Sequence, residues 1–182
     1  GVWRGAYSLF ANFSYGGKFG LKKGGRMNNN AEHNGSCSCG FVKYSINEDP
    51  LFTQACHCDD FKKSTGSAFV ISSMILESCF EIEEGELHAT TLPTGDGSGY
   101  KPFFCKNCGT YIYCEYERAP GIILTRTSSL DEAHNFPPQA HVFTKFKVDW
   151  IHLDNKIPSF EIWYDRDKLW PQASLDRLSG LF

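Results

Sequence analysis

The segment CKNCGT at residues 105–110 is the strongest indication of the fold that we expect for this chain. Its cysteines, Cys105 and Cys108, have the C-x-x-C spacing that closes a tight turn around a metal ion. Gly109 directly follows the second cysteine and tolerates the backbone conformation that such turns often need. The segment therefore predicts one half of a tetrahedral metal site.

The other half of this site is predicted far upstream, in the segment CSCG at residues 37–40. In an extended chain, residues two apart point to the same side, so Cys37 and Cys39 can direct both thiolates at one point. Four thiolates from two distant segments make a closed site of the kind that holds a structural Zn²⁺ and contributes to folding. Disulfide bonds and metal-free core thiols are the alternatives for the same four residues.

The rest of the chain has the pattern of a mainly β protein. Short apolar and β-branched runs alternate with glycine-containing turns, and long helical periodicity is absent from the sequence. We therefore expect strands at residues 37–46, 68–76, 80–82, 87–91, 111–116 and 121–127.

Two short helices complete the predicted secondary structure. One is expected at residues 59–64, and the other starts at Pro171, after which Leu175, Leu178 and Leu181 recur at helical spacing. We interpret the second helix as a docking tail. Its apolar stripe either covers the core or contacts a partner subunit.

Length and composition indicate one globular domain. The chain has 182 residues, of which 41% are hydrophobic, enough to bury one sizeable core. The formal charge of -3 comes without a basic block that could follow a phosphate backbone, so we expect no nucleic-acid partner. No apolar run approaches the roughly 20 residues of a membrane-spanning helix, so we expect no membrane partner. The oligomeric state does not follow from the sequence.

The N-terminal segment of 26 residues is rich in glycine and aromatic residues and lacks the continuous apolar run of a signal peptide. Met27 opens a polar stretch, so the natural protein either starts there or includes the segment before it. A short basic cluster at residues 18–26 is interpreted as solvated surface. Because eight cysteines without a secretory signal favour metal binding over disulfides, we predict a reducing, cytoplasmic location.

A second cysteine cluster, CHCDDF, occupies residues 56–61. Cys56 and Cys58 again present two thiols on one side, but a third cysteine is missing, and two thiolates alone hold zinc poorly. Additional candidate ligands by spacing are His57, Asp59 and Asp60. His57 would point away from the thiols in an extended segment. The cluster is either a second zinc site with an open position or a pair of reduced thiols able to form a reversible disulfide.

The sequence says less about the function of five other residues. Thr65, Gly66 and Ser67 follow the second cluster and are candidates for a pocket floor, because they offer backbone and hydroxyl donors. Cys79 and Cys114 stand alone in apolar strands, where buried free cysteines are common, so we assign them no role.

Three motifs follow one another along the chain: GSCSCG at residues 35–40, CHC at 56–58 followed by KSTGSAF at 63–69, and FCKNCGT at 104–110. In this order they make the sequence resemble the glutathione-dependent formaldehyde-activating enzyme family, which also includes centromere protein V. Further matches are SSLD at residues 128–131, His141, Trp150, Asp154 and IPSF at 157–160, so the resemblance spans residues 34–161. His141 and Trp150 lie in strand-like segments, and we interpret both as core residues.

The resemblance implies a fold of several coiled antiparallel sheets, sometimes called a β-tent, with a structural zinc at the same four cysteines. In catalytic members of the family, a C-x-C-x-x-C motif holds a second zinc. That zinc acts on glutathione and formaldehyde to give S-hydroxymethylglutathione, a carbon-sulfur lyase reaction. In this sequence the motif reads Cys56, Cys58 and Phe61, and a phenylalanine cannot bind a metal.

We therefore expect a zinc-containing enzyme of altered chemistry, acting as a lyase or by a related reaction on a small substrate that is aromatic or a thiol adduct. Phe61 would make the pocket apolar. The candidate catalytic residues are Cys56, Cys58, His57 and Asp60. The alternatives are the family's own lyase reaction with glutathione and a non-catalytic zinc-binding module. The expected divisions are a leader at residues 1–33, the zinc domain at 34–161 and the docking tail at 162–182.

Overall fold

The computed structural model describes residues 31–94 and 97–181. Strands dominate this part of the chain, which confirms the mainly β fold class, and the helices are few and short. The strands are β1 (His33–Ser36), β2 (Lys43–Ile46), β3 (Phe52–Cys56), β4 (Val70–Leu76), β5 (Phe80–Glu84), β6 (Leu87–Ala89), β7 (Leu92–Pro93), β8 (Gly99–Cys105), β9 (Tyr111–Tyr116), β10 (Ile122–Arg126) and β11 (Ala140–Val142). The helices are α1 (Asp59–Thr65), α2 (Arg166–Leu169) and α3 (Gln172–Ser179).

The strands form two sheets. The small sheet is antiparallel, with the order β1-β2-β5. The large sheet has the order β11-β3-β4-β10-β9-β8-β6, and β7 also pairs with β8. Its neighbouring strands are antiparallel except for β11 and β3, which are parallel. Two mainly antiparallel sheets therefore build the fold, in agreement with the prediction of a mainly β fold with more than one sheet.

Strand β3 lies between β11 and β4, and all five of its residues are buried. Its polar side chains are satisfied, because Thr53 Oγ1 lies 3.0 Å from Ser73 Oγ and Gln54 Oε1 accepts a hydrogen bond of 2.8 Å from Tyr164. A buried strand paired on both sides holds its last residue, Cys56, in a defined position.

Most predicted elements are confirmed, with small shifts at their ends. The strand predicted at residues 111–116 coincides with β9, and the helix predicted at 59–64 is α1. The predicted C-terminal helix is α3. Strands β1, β3, β7 and β8 were missed, since their sequences carry little regular alternation.

The strand predicted at residues 37–46 was wrong for its first six residues. Residues 37–46 were expected to be extended, but the strand covers only the last four of them, and the CSCG segment is a turn. In this turn the N–H of Gly40 donates to Cys37 O at 3.0 Å, and the N–H of Cys37 donates to Val42 O at 3.0 Å. Cys37 and Cys39 do place their sulfur atoms together, as predicted. They do so in a turn, however, and not in an extended strand.

The two residues interpreted as core residues differ in the structure. His141 lies in β11 and is buried, as expected. Trp150 is 68% exposed and lies outside the strands, so that interpretation was wrong. It follows Asp149 in a turn.

The C-terminal segment packs on the large sheet. The Trp170 ring stacks on Phe52 of β3, with a centroid separation of 5.4 Å, and Leu178 of α3 is buried. Arg177 Nη1 donates to the backbone oxygen of Asp49 at 2.8 Å. These contacts support the docking-tail interpretation, although the boundary at residue 162 stays a prediction.

Two other expectations concern the ends of the chain and membranes. The proposed start at Met27 and the basic cluster at residues 18–26 lie outside the described residues. Within the described ranges, no helix has both the length and the apolar character needed to cross a bilayer.

Candidate metal centre and thiol pair

The four cysteines of the predicted metal site lie together in the structure, and their Sγ atoms are all within 4.8 Å of one another. Cys37 Sγ lies 3.5 Å from Cys39 Sγ, which lies 4.0 Å from Cys105 Sγ; Cys108 completes the quartet. Four thiolates placed tetrahedrally at about 2.3 Å from a zinc ion are about 3.8 Å apart. The spacing of the sulfurs therefore fits Zn²⁺.

Each half of the quartet is a tight turn that ends at a glycine in the left-handed region. Gly40 has a φ of 74°, and Gly109 has a φ of 73°. The N–H of Gly109 donates to Cys105 O at 2.9 Å, as that of Gly40 does to Cys37 O. Because glycine has no Cβ, it adopts this conformation without steric cost, and each turn can direct two sulfurs to one point.

Hydrogen-bond donors surround the sulfurs. The backbone N–H of Val42 donates to Cys37 Sγ at 3.2 Å, and the side-chain amide of Asn107 donates to Cys39 Sγ at 3.3 Å. Such donors stabilise a negatively charged sulfur, and the thiolate is the form that binds zinc. The surroundings of the quartet therefore fit a metal site.

Thr110 connects the two halves. Its Oγ1 accepts a hydrogen bond of 3.1 Å from the N–H of Ser38, and it lies 3.1 Å from Cys108 Sγ. This hydroxyl lowers the pKa of Cys108 to about 6, whereas burial raises the pKa of Cys105 to about 11. Of these two thiols, Cys108 is therefore the more acidic.

None of the eight cysteines, all of which lie in the described ranges, forms a disulfide bond. In the same part of the chain, the quartet is the one group of three or more side chains that could hold a metal ion. The geometry therefore favours the metal interpretation over disulfides.

The second cluster begins where β3 ends. Cys56 is 3% exposed, and Cys58 is partly exposed immediately before α1. Phe61 lies in the first turn of α1 and is buried, with its ring meeting the edge of Tyr100 at a centroid distance of 6.4 Å. Of the described residues, none joins Cys56 and Cys58 to make a group of three candidate ligands.

Cys56 and Cys58, which we call the thiol pair, interact through their side chains. This contact raises the pKa of Cys56 well above its ordinary value and lowers the pKa of Cys58. The backbone N–H groups of Phe61 and Asp60 further lower the pKa of Cys58, since helix N-termini favour negative charge. Asp60 itself is exposed. Cys58 is thus the more acidic thiol of the pair.

His57 lies between the two thiols in sequence, but its ring pairs with another histidine. His57 Nε2 lies 3.0 Å from His141 Nδ1, and the backbone N–H of His57 donates to Val142 O at 3.0 Å. Burial and the nearby His141 lower the pKa of His57 to about 4, so its imidazole is neutral near pH 7. This contact joins the end of β3 to β11.

The three residues predicted to form a pocket floor end helix α1. Gly66 has a φ of 65° and its N–H donates to Lys62 O at 2.9 Å. Thr65 Oγ1 donates to Phe61 O at 2.7 Å and accepts from the N–H of Ser67 at 3.4 Å. These three residues are exposed and cap the helix. Their part in a pocket stays a prediction.

Sequence reasoning missed Arg126, the last residue of β10. It is 6% exposed, and its guanidinium lies 4.7 Å from the ring centre of Phe61 and 4.3 Å from that of Tyr111. An arginine at the end of the otherwise uncharged run at residues 122–126 was the available signal.

A cleft of about 310 Å³ is lined in part by Tyr100 and Tyr116. The rings of these two tyrosines stack at a centroid distance of 5.6 Å. Tyr100 therefore contacts Phe61 and also forms part of the cleft wall. A second cleft, of about 570 Å³, is lined mainly by acidic and polar residues of the small sheet, so it offers none of the candidate chemistry.

The fold and the quartet define a β-sheet protein with a cluster of four cysteines that could hold a metal ion. The sequence model of the glutathione-dependent formaldehyde-activating enzyme family matches residues 32–146, which is more than half of the chain. The chain belongs to this family. No curated protein matches the sequence. A crystal structure of a Rhodobacter sphaeroides protein is similar to 54% of this chain and 87% of that chain, with 20% identity and a TM-score of 0.43.

Proposed function

We propose that this chain is a zinc-stabilised thiol enzyme. In this proposal the quartet holds one structural Zn²⁺, and the thiol pair reacts with a small-molecule substrate without a second zinc. The observation that carries the proposal is the position of Phe61, which is 3% exposed and occupies the place of the third ligand in the C-x-C-x-x-C motif.

A second zinc at the thiol pair would have too few protein ligands. Catalytic zinc sites use three protein ligands and leave the fourth position to water or substrate. With Phe61 in the motif, the pair supplies two, and the neighbouring Asp59 forms an ion pair of 2.9 Å with Lys62. The ring of His57 forms a hydrogen bond with the ring of His141. Asp59 and His57 are thus engaged elsewhere, and the exposed Asp60 does not join the two thiols in a group of three candidate ligands.

The reactive group of the proposal is the Cys58 thiolate. It is the partly exposed member of the pair, its pKa is lowered by Cys56, and a thiolate is the nucleophilic form of cysteine. Its attack on the carbonyl carbon of a small aldehyde forms a carbon–sulfur bond while the carbonyl π electrons move to oxygen, which takes a proton from water. The reverse step breaks the same bond, so the chemistry is of the lyase type.

The proposal also covers substrate class and location. Phe61 and Tyr100 give the region an aromatic character that suits a small aromatic aldehyde or a carbonyl-bearing thiol adduct, including one of glutathione. A reactive thiolate requires reducing conditions, and eight free cysteines support a cytoplasmic location. Asp60, exposed beside the pair, is the proposed acid-base group.

Alkylation mapping tests this function. Purified protein is treated with iodoacetamide at pH 7, and the labelled cysteines are identified by peptide mass spectrometry, with and without benzaldehyde. Among the four cysteines outside the quartet, we expect Cys58 to be labelled fastest and to be protected by the aldehyde, while Cys79, which is buried with a raised pKa, serves as the slow internal control.

Two outcomes would reject the proposal. Rapid formation of S-hydroxymethylglutathione from formaldehyde and glutathione, with a second zinc per chain, would establish the family's own reaction instead. An unreactive Cys58 with no aldehyde protection would leave a non-catalytic zinc module.

A further inference from the structure

Each of the two turns of the quartet contributes one buried and one exposed cysteine. Cys37 and Cys105 are buried, whereas Cys39 and Cys108, which we call the outer pair, are exposed. The sulfurs of all four residues lie within 4.8 Å of one another. The two thiols that solvent reaches therefore come from different turns and lie close to each other.

Two side chains hold the outer pair together across the turns. The amide of Asn107, which precedes Cys108, donates to Cys39 Sγ at 3.3 Å. Thr110 Oγ1 lies 3.1 Å from Cys108 Sγ and accepts a hydrogen bond of 3.1 Å from the N–H of Ser38, which precedes Cys39. A disulfide has an S–S length of about 2.0 Å, and rotation of the two exposed side chains can supply the remaining approach.

Access to solvent favours oxidation of the outer pair over pairings within one turn. Peroxides react with the thiolate form of cysteine, and thiolate character and exposure together determine which cysteine is oxidised. In the zinc-loaded protein all four sulfurs are thiolates, so exposure decides among them. A disulfide within either turn would need the buried sulfur of Cys37 or of Cys105.

The reaction of the outer pair with hydrogen peroxide takes two steps. One thiolate attacks a peroxide oxygen, the O–O bond breaks, and a sulfenic acid and a hydroxide ion form. The second thiolate attacks the oxidised sulfur, an S–S bond forms, and a second hydroxide ion leaves. The two sulfurs thus lose two electrons in total, and the peroxide gains them.

This disulfide would release the metal ion. Zinc binds the thiolate form of cysteine, and a structural site needs four ligands, whereas only Cys37 and Cys105 would remain. The new S–S bond would nevertheless join the turn before β2 to the turn after β8, as the ion does in the reduced protein. A disulfide within one turn would release the ion without preserving that link.

We infer that the outer pair is a redox switch of the zinc centre: a hydroperoxide converts Cys39 and Cys108 into a disulfide that releases the zinc ion and replaces it as the link between the two sheets. This inference rests on the structural zinc of the proposed function. It does not involve the thiol pair.

The test follows zinc release from zinc-loaded protein treated with hydrogen peroxide at pH 7. A zinc-binding dye measures the release, and peptide mass spectrometry without reduction identifies the disulfide. We expect one zinc ion per chain to be released as the Cys39–Cys108 disulfide forms, and dithiothreitol with added zinc to reverse both changes.

Two variants control this measurement. Cys39→His keeps a zinc ligand at this position but cannot form the disulfide, so it should release zinc at least about tenfold more slowly than the wild type. Cys79→Ser removes a thiol outside the quartet and should release zinc at the wild-type rate.

Three results would overturn the switch: zinc that is retained under peroxide, oxidation to any product other than the Cys39–Cys108 disulfide, or release from Cys39→His at the wild-type rate. If Cys39→His does not bind zinc, the disulfide map of the wild type decides, because it needs no variant.

Cys58→Ser separates this inference from the proposed function. The variant lacks the proposed reactive thiol and should release zinc as the wild type does; slower release would assign the oxidation to the thiol pair and overturn the switch alone. A wild-type protein that binds no zinc would contradict both proposals.

Discussion

Cys39 Sγ and Cys105 Sγ lie 4.0 Å apart although 66 residues separate them in the sequence. Cys39 belongs to the turn before β2 of the small sheet, and Cys105 ends β8 of the large sheet. An ion held by both turns would connect the two sheets, which are separate in the part of the chain that the structure describes. The account of this chain as a zinc-stabilised thiol protein depends on that connection.

Restoring the third thiolate should create a second metal site. We expect Phe61→Cys to raise the zinc content of the purified protein above that of the wild type by up to one ion per chain, because three protein ligands suffice for an open zinc site. Metal analysis after dialysis measures this. Phe61→Leu removes the same ring without adding a ligand and should leave the zinc content unchanged; an equal gain in both variants would contradict the role given to residue 61.

Gly109 should be required because its backbone has a positive φ, and not because a larger side chain would collide with its neighbours. A Cβ at this position would meet no atom within 4 Å, so Gly109→Ala should destabilise the zinc-loaded protein by about 1 to 2 kcal/mol through its φ of 73° alone. Urea unfolding measures the difference. Gly180→Ala, at a φ of -72°, is the matched control and should cost less than about 0.5 kcal/mol.

The contact between the tail and the large sheet should contribute strongly to stability. Trp170 is 7% exposed, stacks on Phe52 and donates from Nε1 to Tyr164 Oη at 2.9 Å. We expect Trp170→Ala to cost about 3 to 5 kcal/mol. Trp150→Ala, which removes the same side chain at 68% exposure, should cost less than about 0.5 kcal/mol. Similar losses in both variants would contradict the docked tail.

The histidine pair should make stability depend on pH. The pKa of His57 is lowered from 6.5 to about 4 by burial, His141 and Lys147, so the unfolded chain binds more protons than the folded protein between these values. The contribution of the neutral His57 side chain to the free energy of unfolding is therefore complete above pH 6.5. It is lost as the pH falls toward 4, which lowers the free energy of unfolding by roughly 2 to 3 kcal/mol.

Acid also protonates zinc-bound thiolates, so this prediction is measured as a difference. Urea unfolding of the wild type and of His57→Phe is compared at pH 7.5, 6.5, 5.5 and 4.5. The free energy of unfolding of the variant should fall less steeply in the acid range. Parallel curves would show that His57 does not titrate as proposed.

The clustering of the four cysteines and the fold class could be predicted because both follow from short sequence patterns. Paired cysteines followed by glycine encode the turns, and alternating apolar runs encode strands such as β9. The conformation at Cys37 could not be predicted, because C-x-C spacing is compatible with both an extended chain and a turn. The hydrogen bond from the N–H of Gly40 to Cys37 O identifies the turn in the structure.

The surroundings of the thiol pair could not be predicted for a different reason. Arg126 and Phe61 are 65 residues apart, and their contact depends on how α1 packs against β10. The pairing of His57 with His141 depends in the same way on the parallel neighbours β3 and β11. Contacts between distant segments leave no periodic signal in one sequence.

The most direct test of the account is the number of zinc ions per chain in the wild type, Cys105→Ser and Cys56→Ser, measured by elemental analysis on protein of known concentration. The account predicts one zinc in the wild type, none in Cys105→Ser, and one in Cys56→Ser. Two zinc ions in the wild type with one lost in Cys56→Ser, or full zinc retention in Cys105→Ser, would contradict it.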